Sequence, residues 1–235
     1  MLTTIGFDAD DTLWQNESFF RLTQDRFATL LSDHAAPDHL AERLEAAERR
    51  NIGHYGFGVK GFTLSMIETA IEVTEGRVPA AVIGELIAAG RDMLEHPIEL
   101  LPSVRATVTA LAAEYRVVLI TKGDLLDQER KLAQSGLGDL FHGVEIVSHK
   151  TPDAYRQIFA RHGTGADQAM MVGNSLKSDV IPALEAGSWG VHIPHGLTWA
   201  LEAADPPLGH RRFHALTSLG SLPALVESLA GTRKG

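Results

Sequence analysis

Apolar residues along this chain recur in two rhythms. Leu2 to Phe7, the run opening at Arg116 and ending at Ile120, Val144 to Val147, and Ala169 to Val172 are short stretches of strand length. They carry bulky or β-branched side chains with little alternation, as expected for parallel strands covered on both faces. Trp189 to Ile193 reads as a further strand. The second rhythm is helical and fills a long insertion, residues 14–97, between the first two strands. There Phe20, Phe27, Leu30 and Leu31 can share one face, as can Leu64, Ile67 and Ile71, and then Val82, Leu86, Ala89 and Met93. Such spacing marks stripes that pack into a helical core.

Beyond the insertion, helix and strand alternate. Val104, Val108 and Leu111 predict a helix before the second strand, and Leu132 lies in the helix after it. Thr151-Pro152 opens a helix through Tyr155 and Phe159, since proline suits the first helical position. Gly187 ends the helix that follows Asp179. Trp199 and the Pro206-Pro207 region read as an excursion packed on the core, Leu216 to Leu229 as a closing helix, and Gly231 to Gly235 as a frayed tail. The expected class is α/β: a Rossmann-like parallel sheet core with helices on both faces and an inserted α-helical cap domain. The core is discontinuous, residues 1–13 and 98–235, and the cap is 14–97.

Each of the first four core strands ends in chemistry. Asp8-Ala9-Asp10-Asp11-Thr12 follows the first strand and sets two carboxylates two residues apart where ligands of open α/β sheets bind. One carboxylate can attack phosphorus while the other protonates a leaving oxygen and later deprotonates water. Thr121-Lys122-Gly123 ends the second strand as a hydroxyl and glycine turn suited to a phosphate oxygen, with Asp124 placed to cap the next helix. Lys150 follows the third strand and could neutralise both a nucleophile and a phosphate. Gly173-Asn174-Ser175-Leu176-Lys177-Ser178-Asp179 follows the fourth, offering an amide and a carboxylate, hard ligands of the kind magnesium accepts. Each segment alone has a plainer reading: an acidic turn, an ordinary threonine, a solvated lysine, a helix cap. Their order, strand by strand, is harder to explain that way.

With these four segments the chain resembles the haloacid dehalogenase (HAD) superfamily over about residues 3 to 193. The resemblance implies that Asp8 is the nucleophile and Asp10 the general acid/base. Thr121, Lys122 and Lys150 would bind the phosphoryl group. Mg2+ would be held by an Asp8 oxygen, the Asp10 carbonyl, and Asn174 or Asp179. Asp10 argues against the dehalogenase branch, which looks metal-free and lacks an acid at that place. Many phosphatase members have Gly-Asp where this chain has Gly173-Asn174, a change that removes one formal charge from the metal site. The implied activity is that of a HAD-like phosphoric monoester hydrolase: a magnesium-dependent phosphatase forming an aspartyl-phosphate from a small phosphorylated metabolite. A phosphomutase and a noncatalytic metabolite-binding protein are the alternatives. The insertion resembles the helical cap of many HAD proteins, which would exclude water and select the leaving group.

Composition narrows the partners. A net charge of -9 offers no basic stripe for nucleic acid. The absence of cysteine excludes disulfides and thiol chemistry. With no signal-peptide pattern and no membrane-length apolar stretch, no membrane association and a cytoplasmic location are expected, and no oligomeric state follows. Gly56-Phe57-Gly58-Val59-Lys60-Gly61 matches the dinucleotide fingerprint, but it follows the polar, helix-like stretch Glu42 to Arg50 rather than a strand. It reads as a connection between helices, from which His54, Tyr55 and Lys60 either reach a substrate or serve only the loop. His192 and His195 lack the neighbouring ligands of a metal pair.

Overall fold

The computed structural model describes residues 1–197 and 199–231, so the expected tail lies outside the described residues from position 232 on. The chain forms two compact units: Met1–Gln15, Ile98–Lys122 and Gln128–Gly235 make one, Asn16–Pro97 and Gly123–Asp127 the other.

The first unit is built on a sheet of β1 (Thr4–Phe7), β2 (Arg116–Lys122), β3 (Gly143–Val147), β4 (Ala169–Gly173), β5 (Trp189–His192) and β6 (Phe213–Ala215). The order is β3-β2-β1-β4-β5-β6, and every pairing is parallel. Central β1 is buried along its whole length, which is why its sequence does not alternate. Ile5, Phe7, Val117, Leu119, Met170 and Val172 pack one face against α5 (Val104–Ala112) and α9 (Leu222–Gly231). Val118, Ile120 and Met171 pack the other against α7 (Pro152–His162) and α8 (Ile181–Glu185). This is the Rossmann-like parallel core. The order reverses between β1 and β4, and the crevice at that switch point is where such sheets bind ligands.

β6 was not foreseen: three residues inside the region read as an excursion pair with β5 through Gly190↔Phe213 and His192↔Ala215. A strand this short has no readable period. The closing helix also begins later than expected, at Leu222, after a single tight turn at Leu219–Ser221.

The second unit contains α1 (Glu17–Leu30), α2 (Pro37–Tyr55), α3 (Val59–Val73) and α4 (Ala80–Glu95). Phe27, Leu31, Leu40, Leu44, Phe62, Met66, Leu86 and Met93 form its core. On α3 the stripe proposed from sequence is corrected. Val59, Phe62, Met66 and Ala70 are buried, whereas Leu64 and Ile71 are 43% and 45% exposed. The helix is apolar on most sides, so periodicity alone does not choose the packed one. The glycine-rich link turns from α2 into α3 with positive φ at Gly56 (73°) and Gly58 (113°). No strand precedes it, as the rejected dinucleotide fold would require. Among the described residues no helix is long and apolar enough to cross a membrane.

Candidate active site

Asp8 leaves β1 with its N–H still donating to the Val172 carbonyl of β4 at 2.9 Å, so the nucleophile candidate is anchored by the sheet itself. The next residues close a tight turn: the Leu13 N–H donates to the Ala9 carbonyl at 2.8 Å, and Asp11 sits in the left-handed region at φ 60°. This turn carries Thr12 back over Asp8. The Thr12 hydroxyl lies 2.9 Å from Asp8 Oδ2 and 3.3 Å from Asn174 Oδ1, and it accepts the Asn174 N–H at 3.0 Å. One hydroxyl therefore holds the ends of β1 and β4 in register and brings an Asp8 oxygen and the Asn174 amide oxygen to the same point.

Lys150 comes from the loop between β3 and α7. Thr151 caps that helix by accepting the Ala154 N–H at 3.1 Å, which fixes the backbone beside the lysine. Its ammonium donates to Asp8 Oδ1 at 2.5 Å and to Asp179 Oδ1 at 2.7 Å, all three side chains being buried. Asp179 is delivered by one π-helical turn, Leu176–Val180, in which the Asp179 and Val180 N–H groups both donate to the Ser175 carbonyl. Its second oxygen accepts the Ser175 N–H at 2.9 Å. A side chain at position 173 would collide with this carboxylate, so glycine is required there. The His192 ring, joined to the Asn174 carbonyl at 3.0 Å, supports the same loop.

Two buried carboxylates thus share one ammonium. Burial and the Asp179 charge raise the Asp8 pKa from 3.8 to about 7, although Lys150 pulls it down. The same two carboxylates hold the Lys150 ammonium above the ordinary lysine range against the cost of its burial. The site is short of positive charge, which fits a divalent cation. Among the described residues no group of three or more His, Cys, Asp or Glu is arranged for a metal. The oxygens that meet beside this ammonium are those of Asp8 and the Asn174 amide, both at the Thr12 hydroxyl.

Asp10 is held differently. Its carboxylate accepts from Trp14 Nε1 at 2.8 Å, Gln128 Nε2 at 2.8 Å and Lys131 Nζ at 3.0 Å. Burial alone would raise its pKa, but Lys131 and the three hydrogen bonds outweigh that and hold it below the usual carboxylate range. Gln128 and Lys131 lie on α6 (Leu125–Ser135), and the sequence reading missed both. The signal was two polar residues at i and i+3 on the face of a helix that also carries Leu132 toward the core.

Thr121, next to last in β2, is buried, and its hydroxyl makes a weak 3.4 Å bond to the Lys122 carbonyl. Lys122, expected at the phosphate, donates to Glu202 and, at 2.8 Å, to the Ser178 hydroxyl. Glu202 carried no sequence signal, lying within the excursion. Of the two histidines set aside earlier, His192 holds backbone and His195 lies 3.2 Å from the Gln15 amide oxygen and 3.6 Å from an Asp11 oxygen. Lys60 pairs with Asp124 at 2.9 Å within the second unit.

Comparison with known proteins fits this architecture. The chain is 42% identical to a haloacid dehalogenase-like family hydrolase from Xanthomonas campestris of known crystal structure, covering 98% of this chain and 93% of that one with a TM-score of 0.88. It is 25% identical to the glyceraldehyde 3-phosphate phosphatase of Methanothermobacter thermautotrophicus, over 85% of this chain and 89% of that protein. It is 26% identical to the N-acylneuraminate-9-phosphatase of Mus musculus, over 58% and 55%. The family description of haloacid dehalogenase-like hydrolases matches residues 2–187, and the chain belongs to that family of enzymes.

Proposed function

We propose that this hydrolase is a magnesium-dependent phosphatase of a small phosphorylated metabolite, acting through an aspartyl-phosphate on Asp8. The observation that carries the reading is the buried Lys150 ammonium, bonded at once to Asp8 and Asp179 where the strand order of the sheet reverses. An Asp8 oxygen attacks phosphorus and the ester P–O bond breaks. Asp10 gives its proton to the departing alkoxide. It then takes a proton from the water that attacks the aspartyl-phosphate, releasing inorganic phosphate and restoring Asp8. Thr121 and Lys150 bind the transferring group, with Lys122 adding positive charge beside them. These fixed donors supply most of the catalysis, because phosphoryl transfer depends on positioning and charge neutralisation.

The low pKa of Asp10 suits the base step. The acid step requires the Lys131 bond to be surrendered when substrate arrives and Asp10 to take up a proton from solvent, which it then passes to the leaving oxygen. Asp8, the Asp10 carbonyl and Asn174 are the residues we assign to Mg2+, with Asp179 behind them. The cation, when bound, would lower the Asp8 pKa and offset charge on the phosphoryl oxygens. In this reading the helical insertion is the cap domain. Both curated relatives bear the names of phosphatases of phosphorylated metabolites, which supports phosphate esters as the substrate class.

The test is phosphate release from a panel of phosphorylated metabolites with and without magnesium, with Asp8→Asn beside the unaltered chain. Magnesium-dependent release, reduced by about a thousandfold or more in Asp8→Asn, is expected where a nucleophile is removed. An isomeric phosphate ester in place of inorganic phosphate would identify a phosphomutase. Silence across the panel would sink the phosphatase reading.

A further inference from the structure

Glu202 belongs to a single tight turn, Ala200–Glu202, which follows β5 and lies far along the chain from the residues assigned to chemistry. Its two oxygens have separate partners: one accepts from the Lys122 ammonium at the end of β2, the other from the Ser175 hydroxyl after β4 at 2.5 Å. The pair is mostly buried, with side-chain exposures of 17% for Lys122 and 14% for Glu202. Burial would raise the Glu202 pKa, yet Lys122 and the hydroxyl bonds hold it below the ordinary value, so the carboxylate is charged. A second staple lies alongside, from the Lys177 ammonium to the Leu201 carbonyl at 2.7 Å. Lys122 also reaches the Ser178 hydroxyl, and the Tyr155 hydroxyl donates to the Ser178 carbonyl at 3.0 Å.

Apart from the Glu202–Lys122 pair itself, these bonds fall on Ser175, which caps the π-helical turn Leu176–Val180, and on Lys177 and Ser178 within that turn, which presents Asp179 to Lys150. A π-turn is a rare conformation that is often found at functional sites. A buried ion pair adds little stability over an apolar pair of similar volume, so its use here is better sought in geometry.

We infer that Glu202 is a positioning residue of the active site: by binding Lys122 with one oxygen and Ser175 with the other, it locks the turn carrying Asp179 to the end of β2. Its bonds go to Lys122 and Ser175 and not to the Asp8 carboxylate. Its consequence is that Asp179 and Asn174 keep their places while charge on Asp8 changes during the reaction, and that the Lys122 ammonium is fixed in one position beside the phosphoryl group. The catalytic part of this inference rests on the phosphatase reading, whereas the structural part does not.

The test uses the full chain with Glu202→Gln, which keeps the shape but loses the charge, and Glu202→Ala. Hydrogen exchange is read at the amides of Ser175, Ser178 and Asp179, and phosphate release is measured alongside. Locally faster exchange is expected in both variants, with the rest of the sheet unchanged. The expected kinetic split is a fall in kcat of about tenfold or more with KM nearly constant, as for a misplaced catalytic constellation. Exchange that speeds up evenly across the molecule would mean a merely stabilising role and overturn the inference, as would local exchange and kcat matching the unaltered chain. If Glu202→Ala does not fold, the isosteric Gln variant decides. If the unaltered chain releases no phosphate, the phosphatase reading fails, and the exchange experiment still decides whether Glu202 locks the turn.

Discussion

The sheet edge and the helical unit each bury a carboxylate whose pKa lies near or above neutrality, and they differ in what surrounds it. At the sheet edge Asp8 rises to about 7 through burial and Asp179, but Lys150 and the Thr12 hydroxyl are bonded to it. In the helical unit Glu48 of α2 rises from 4.5 to about 8 through burial, Glu17 and Glu45, with no hydrogen-bond partner among the described residues. Burial alone therefore does not make a site. What separates the two is a set of fixed donors converging on the carboxylate from several strands, which turns a cost in stability into an arrangement able to bind an anion and a cation.

Replacing Lys150 by Met would break this contrast most severely. It leaves Asp8 and Asp179 buried together without a cation, and a loss of about 3–5 kcal/mol is expected, as for other buried pairs deprived of one partner. Urea unfolding with and without magnesium measures it. A smaller loss in magnesium is expected if the cation takes up the lysine's charge, and no loss at all would show that the pair is not buried as described.

Glu48→Gln sharpens the same comparison from the other side. Between the unfolded value of 4.5 and the folded value of about 8, the folded chain keeps a proton that the unfolded chain has lost. Stability from this group therefore falls as pH rises through that window and levels off above it. The Gln variant should be flatter over the window and more stable at pH 8 by about 1–3 kcal/mol, the order of a partly relieved buried charge. Phosphate release should be unchanged, since Glu48 has no part in the proposed chemistry. Thermal unfolding at pH 5 and pH 8 decides; an equal pH slope in both proteins would show that Glu48 is not the group responsible.

The smallest effect is expected at the exposed face of α3. Leu64→Ser should alter stability by no more than about 0.5 kcal/mol, as most surface changes do. Met66→Ala, on the buried face, should cost about 2–5 kcal/mol. Similar losses at the two positions would mean that the exposed face is covered in solution.

Much of the sheet unit was legible because its signals are local. A strand buried on both faces must be apolar, and the residue after it must turn polar if a ligand is to be bound; Phe7-Asp8 and Val172-Gly173-Asn174 state both in adjacent letters. Glu202 was not read as a site residue because nothing in its own segment requires a polar group there, and the i, i+3 spacing of Gln128 and Lys131 does not say what they would meet. Their partners are Asp10, Lys122 and Ser175, which chain connectivity places far away. The packed face of α3 was misjudged for a related reason. Periodicity reports which residues share a side, not which side meets Leu44, Leu86 and Met93.

By itself the sequence determined the alternation of strand and helix, the parallel class of the core, and the acidic, hydroxyl and basic groups at the strand ends, because each follows from the few residues around it. Only the tertiary structure decided that one Lys150 ammonium joins Asp8 to Asp179, that three donors restrain Asp10, and that Lys122 is held by Glu202. Those are relations among side chains brought together by folding, and their energies depend on distance and burial, which no local stretch of sequence specifies.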